Sequence, residues 1–302
     1  MRALLLFLSR RKLLRKWMET SVLARRLAAR FVAGDTLEDG LEAGRRINRE
    51  GIAVTFDRLG ESVTSLAEAE ASRDEYVRVL EEISDHQLKA NVSIKLTQFG
   101  MDISGQACRA NVEQLVRRAK ELNSFVRIDM ESNEYTERTL RMVSELHAQY
   151  GTVGTVIQAY LRRSENDVEA LCRQGIRVRL CKGAYLESAE VAFQAKSDVD
   201  RHFVHLMRIL LAAGTYPAIA THDEKIIQAA KDFVRARNLS LDSFEFQMLY
   251  GIRRDLQRRL VAEGYRLRLY VPFGKAWYPY FMRRLAERPA NVVFLVRNLL
   301  RG

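Results

Sequence analysis

Cysteine, proline and histidine are all scarce in this chain of 302 residues, and each shortage removes a class of protein. The three cysteines, Cys108, Cys172 and Cys181, form no Cys-x-x-Cys pair and are odd in number, so neither a disulfide framework nor a zinc knuckle is expected. That usage fits a reducing cytoplasm. Four prolines argue against long linkers. Of the five histidines, His202 and His205 share a helical pattern without an acidic third ligand nearby, so no metal site is expected. No apolar run approaches the ~18 residues of a membrane span. The opening MRALLLFLSRRKLLRKW carries an apolar stretch too short for a secretory core, with basic residues directly behind it and no small-residue cleavage pattern. Any membrane contact is therefore expected to be peripheral. Also missing are Gly-x-Gly-x-x-Gly, Walker and Gly-x-Ser-x-Gly sequences, the signatures of dinucleotide folds, P-loops and serine hydrolases.

What the chain does have is length, charge and alternation. At 302 residues it can form one barrel of about 250 residues with an appendage. The formal charge is +11, with the excess concentrated in RRKLLRKW and LARRLAARF near the start. That stretch reads either as a solvated helical face or as a surface for anionic lipid. No aromatic platform is interleaved with those cations, so nucleic acid is not an expected partner. Residues 3–33 repeat apolar side chains at three- and four-residue steps until Gly34 ends the pattern. From Gly51 onward, short apolar runs alternate with amphipathic helical ones. The strand candidates are 51–60, 91–100, 125–131, 155–161, 177–183, 217–223, 244–251 and 267–274, the number that closes a barrel. The expected fold is a (β/α)8 TIM-type barrel over residues 46–302, with an N-terminal helical extension over residues 1–45. A doubly wound open sheet is the alternative, weakened by the missing glycine turn.

Parallel strands buried on both faces should be nearly continuous apolar runs. These are not. Lys95, Asp129 with Glu131, Gln158, Arg179 with Lys182, His222 and Gln247 all fall near the carboxyl ends of the strands, the face where barrel enzymes hold their active sites. Beyond the last strand, WYPYFMRRLAER reads as a helix placing Tyr280, Arg283, Arg284 and Glu287 within about a third of its circumference. Adjacent guanidiniums oriented by a glutamate suit bidentate capture of a small carboxylate, and the bland alternative is a solvated charge cluster. Lys95 or Lys182 could also form a Schiff base in an aldolase-like barrel.

SIKLTQFGMD, RIDMES, VIQAYLRR, RVRLCKGAY, ATHD, FEFQMLYG, LYVPFG and Tyr-x-x-Arg-Arg-x-x-Glu, in that order, resemble the blocks of one family: the bacterial monofunctional proline dehydrogenases and the matching domain of bifunctional proline-utilization proteins. The resemblance implies a distorted barrel binding FAD without a Rossmann fingerprint, and oxidation of L-proline to Δ1-pyrroline-5-carboxylate. Arg179 would lie beside the flavin edge that accepts hydride. Gln158 and Lys182 would contact the flavin and its phosphates, Gly183 and Ala184 would allow close approach, and Thr221, His222 and Gln247 would be further cofactor contacts. The proline carboxylate would sit between Lys95, Arg283 and Arg284, steadied by Asp129 and Glu287, with Tyr185, Leu249, Tyr270 and Tyr280 walling the ring. A tyrosine at 270 goes with proline rather than hydroxyproline. Glu61 resembles a gate residue pairing with Arg283. No base for the substrate amine is evident, so solvent is expected to take its proton. The same resemblance implies a membrane quinone as electron acceptor, a cytoplasmic location on the inner face of the membrane, and a pyrroline-5-carboxylate dehydrogenase as metabolic partner.

Overall fold

The structure is a computed structural model and describes residues 21, 24, 28–60 and 62–287, the side chains of 283 and 285–287 excepted. Most of the helical pattern expected over 3–33, the gate candidate Glu61 and the side chains of Arg283 and Glu287 therefore lie outside the described residues.

Eight parallel strands close into a barrel in sequence order: β1 (Ala53–Arg58), β2 (Ala90–Ile94), β3 (Val126–Ile128), β4 (Val153–Gln158), β5 (Val178–Cys181), β6 (Ala218–Ala220), β7 (Glu245–Leu249) and β8 (Leu267–Phe273). Closure comes from β1 and β8, which pair from Ala53↔Arg268 to Arg58↔Phe273. Each expected run overlaps one strand, although β2 and β4 begin one and two residues ahead of theirs. The run over 91–100 breaks after Ile94, because Leu96–Phe99 tightens into a 3-10 turn that Gly100 ends at φ +91°. Glu131 clamps this turn by accepting from both the backbone N–H and the hydroxyl of Thr97, at 3.2 and 2.7 Å.

Nine helices are described: α1 (Leu37–Arg49), α2 (Leu66–Asp85), α3 (Gly105–Glu121), α4 (Asn133–Tyr150), α5 (Ser164–Arg173), α6 (Lys196–Ala213), α7 (Glu224–Ala236), α8 (Arg254–Ala262) and α9 (Trp277–Glu287). The first and last depart from a regular barrel. Helix α1 opens on a capping box between Thr36 and Asp39 and packs against β1 and β8. Its Gly44 permits that approach, since a Cβ there would lie 2.7 Å from the Phe56 ring. Leu41, Ala43 and Ile47 thus join the main core, in the wall position next to β8. Helix α9 follows β8 yet belongs to a separate cluster, in which Trp277, Tyr278 and Phe281 pack with Ala28, Phe31, Leu59 and Ile252. Leu59 and Ile252 follow the ends of β1 and β7, so α9 rests at the carboxyl rim rather than along the wall. Among the described residues no helix is long and apolar enough to cross a membrane.

Candidate active site

Alternation along the strands sends Val54 and Phe56, Val92 and Ile94, Val178 and Leu180, and Leu269 and Val271 into the main core outside the barrel. The intervening positions point inward, and they are polar, charged or small. At the amino-terminal end, Thr55 donates to Asn91 at 2.5 Å, and Arg268 donates to the Val54 carbonyl and to Glu245 Oε1, each at 2.8 Å. Arg127 donates to the carbonyls of Thr155 and Arg177 at 3.0 and 2.9 Å. Burial, reinforced by repulsion from Arg179, pushes the Arg127 guanidinium down to about 9.

One layer higher, Arg179 organises the lumen. Its Nε donates to Gln247 Oε1 at 2.5 Å, Nη1 to Asp129 Oδ1 at 2.7 Å and Nη2 to Ser93 Oγ at 3.0 Å, while its guanidinium carbon stands 5.2 Å from the centroid of the Tyr270 ring. Asp129 also accepts from Ser93 at 2.9 Å and from the Tyr270 hydroxyl at 2.8 Å. Burial, with the Asp129 charge adding to it, holds the Tyr270 phenol well above its ordinary value, so it donates as a neutral group. Lys95 Nζ is bound by Asp57 at 2.7 Å and stands 3.9 Å from Asp129. Burial alone would lower the lysine, but these two carboxylates outweigh it and hold its ammonium above the ordinary value.

At the rim, Lys182 bridges Asp200 at 2.5 Å and Asp223 at 3.1 Å, with Lys196 paired to the same two acids. Burial opposes ionisation of both acids, yet Lys182 draws each below the usual carboxylate value. The backbone N–H of Leu249 donates to His222 Nε2 at 2.9 Å, which assigns the ring proton to Nδ1. Gly183 takes φ +108°, where a Cβ would fall 2.3 Å from the Tyr160 ring, so no other residue keeps this chain path. Gln158 donates to the carbonyls of Met130 and Glu131 at 2.9 and 3.0 Å, leaving its own Oε1 buried with no hydrogen-bond partner.

These groups surround a cavity of about 550 Å³ at the carboxyl ends of the strands. It is lined by Lys95, Asp129, Gln158, Arg179, Lys182, Gly183, Ala184, Tyr185, Thr221, His222, Gln247, Leu249, Tyr270 and Arg284 from the expected site. Tyr280 is instead buried in the apolar cluster of α9, under Arg284, whose guanidinium carbon lies 5.1 Å from its ring centroid. The resemblance assigns Asp129 to the substrate-side cations, but its closer cation is Arg179, and the acid gripping Lys95 is Asp57. Asp57, Ser93, Lys196, Asp200, Asp223 and Glu245 also join these networks but are not among the expected site residues. Inward parity is the available signal for Ser93 and Glu245, each two positions from a residue singled out in the same run, Lys95 and Gln247; Asp57 has no such neighbour on β1.

Lys95 is a poor candidate for a Schiff base, because its ammonium is held charged by two carboxylates. His202 and His205, the pair set aside as a metal site, meet the Ala159 carbonyl and the Glu165 carboxylate at 2.7 and 2.8 Å. No group of three or more His, Cys, Asp or Glu among the described residues could hold a metal ion.

Residues 41–297 match a family model described as proline dehydrogenase. The chain is 42% identical over 302 residues to proline dehydrogenase 1 of Bacillus subtilis subsp. natto, covering 100% of this chain and 99% of that protein. It is 43% identical over 281 residues to the proline dehydrogenase of Deinococcus radiodurans, covering 91% of each. Among solved structures, proline utilization A from Bdellovibrio bacteriovorus inactivated by N-propargylglycine superposes with a TM-score of 0.81 at 27% identity, over 87% of this chain. This chain spans 32% of that longer one.

Proposed function

The chain belongs to the proline dehydrogenase family, and from that premise we propose that it oxidises L-proline to Δ1-pyrroline-5-carboxylate with FAD in the barrel mouth, delivering the electrons to a membrane quinone. The observation that carries the reading is Arg179: a residue 5% exposed whose guanidinium is fixed by three hydrogen bonds and faces a cavity that also holds Lys95 and Arg284.

The residues present fit a flavin. Gln158 Oε1 is a buried acceptor lining the cavity without a partner, and a flavin ring N–H is a donor that would satisfy it. Lys182 and Lys196 offer cations for the diphosphate, with Gly183 and Ala184 as backbone wall and Thr221, His222 and Gln247 around the ring system. When bound, FAD supplies the two-electron acceptor for the hydride leaving C5 of proline. Arg179 places fixed positive charge where electron density accumulates, without reorganisation at the moment of reaction.

Lys95 and Arg284, together with Arg283, hold the substrate carboxylate, and Asp57 keeps the Lys95 ammonium from swinging away. Tyr185, Leu249 and Tyr270 wall the pyrrolidine ring, and Tyr280 supports Arg284 from below. Glu287 steadies the paired arginines and Glu61 gates the mouth by pairing with Arg283. The amine proton leaves to solvent before hydride loss; the Asp129 carboxylate is engaged by Ser93, Arg179 and the Tyr270 hydroxyl. The protein works in the cytoplasm, peripheral to the inner face of the membrane through its basic N-terminal stretch, and hands its product to a pyrroline-5-carboxylate dehydrogenase.

Acid-released cofactor from the purified protein should be FAD. Incubation with L-proline and a soluble quinone analogue should yield a product trapped by o-aminobenzaldehyde. A colourless preparation that cannot be reconstituted with FAD would sink the reading.

A further inference from the structure

Glu245 lies at the start of β7, 3% exposed, below the cavity and not lining it. We propose that Glu245 is a positioning residue: it fixes which end of the Gln247 amide faces Arg179, and so holds the guanidinium in register with the flavin. This rests on the reading of Arg179 given above.

An amide side chain is nearly symmetric in shape, so its orientation follows from its neighbours' hydrogen-bonding character. Arg179 has only donors to offer. An ionised glutamate has only acceptors. Gln247 stands between them, accepting from Arg179 Nε through Oε1 and donating to Glu245 Oε1 through Nε2, each at 2.5 Å. Turning the amide over would set N–H against N–H on one side and carbonyl against carboxylate on the other. Glu245 stays ionised because Arg268 donates to the same oxygen at 2.8 Å and the Tyr216 hydroxyl donates to the other at 3.2 Å.

The sheet leaves room for the arrangement. Arg179 is in register with Ala218 and Gln247 with Ala220, so only methyl groups of β6 separate the guanidinium on β5 from the amide on β7. Of the groups accepting from Arg179, Asp129 is an acceptor whatever surrounds it while ionised. The Ser93 hydroxyl gives its hydrogen to Asp129 and keeps lone pairs for Arg179, so of the three acceptors Gln247 is the one that must turn its whole amide over to change from acceptor to donor.

A double-mutant cycle separates positioning from simple charge balance. Glu245→Gln, which can donate to Gln247 and so lets the amide turn over, should slow flavin reduction by L-proline about tenfold and move the flavin midpoint potential to more negative values. Gln247→Met should do the same. The double variant should be no slower than Gln247→Met alone, because an absent amide cannot be oriented. Losses that multiply would overturn the proposal. Should Glu245→Gln fail to fold with Arg268 left unpaired, Glu245→Gln combined with Arg268→Met removes both charges and enters the same cycle. FAD affinity, measured by titrating apoprotein, should change in parallel with the potential; an unchanged affinity and potential in Glu245→Gln would also overturn it. A wild-type protein that L-proline does not reduce removes the site reading and this inference together, whereas normal wild-type reduction with multiplicative losses removes only the inference.

Discussion

The two faces of the same eight strands have opposite chemistry. On β5, Leu180 points outward, 0% exposed among core side chains, while its neighbour Arg179 points inward into three hydrogen bonds. Both are buried, so burial alone does not separate them. The outer face gains free energy from apolar area removed from water, roughly 25 cal/mol per Å². The inner face gains little, because desolvating charges offsets most of their attraction. A polar lumen is therefore poor evidence of stability and good evidence of geometry being held for a purpose. A barrel built only to be stable would fill its interior with branched apolar layers.

Substitutions on either side of the wall can break that contrast. Arg179→Met should have the largest effect, slowing flavin reduction by about 10²–10³-fold as the fixed charge is lost, and costing about 3–5 kcal/mol because Asp129 loses its close cation; stopped-flow reduction and denaturant unfolding read the two parts. Leu180→Ala should cost about 2–5 kcal/mol of stability while leaving the reduction rate of folded protein unchanged. Were turnover to fall with it, the division of labour between faces would be wrong. Arg284→Met should lower kcat/KM about 10- to 150-fold, equivalent to about 1.5–3 kcal/mol and carried by KM for proline, as a charge-assisted contact to the carboxylate disappears. Asp57→Asn should show the smallest change, about a tenfold rise in KM with FAD affinity intact, equivalent to one hydrogen bond to a charged group. An unchanged KM there would remove Asp57 from the support of Lys95.

The outer face was legible in the sequence because its signal is local. Runs such as RVRLCKG and FEFQMLYG show strand length and alternation directly, and eight of them predict closure. The inner residues that carry chemistry were legible one at a time, as misplaced polar groups, but their pairing was not. Asp57 and Lys95 are 38 positions apart, and Arg179 and Gln247 are 68 apart. Only the closed sheet brings them together. The exchange of wall positions was equally hidden: the amphipathic pattern of α1 shows an apolar stripe, but not that it fills the place beside β8 while α9 moves to the rim. Flavin and proline entered through resemblance, since no spacing of residues specifies either.

The most direct test of a lumen built for hydride transfer is anaerobic titration of the purified protein with L-proline, followed by the flavin absorption band. The band should bleach in the wild type and in Leu180→Ala, and far more slowly in Arg179→Met. A band that L-proline leaves untouched in the wild type, or that bleaches at the wild-type rate in Arg179→Met, would contradict that role of the lumen.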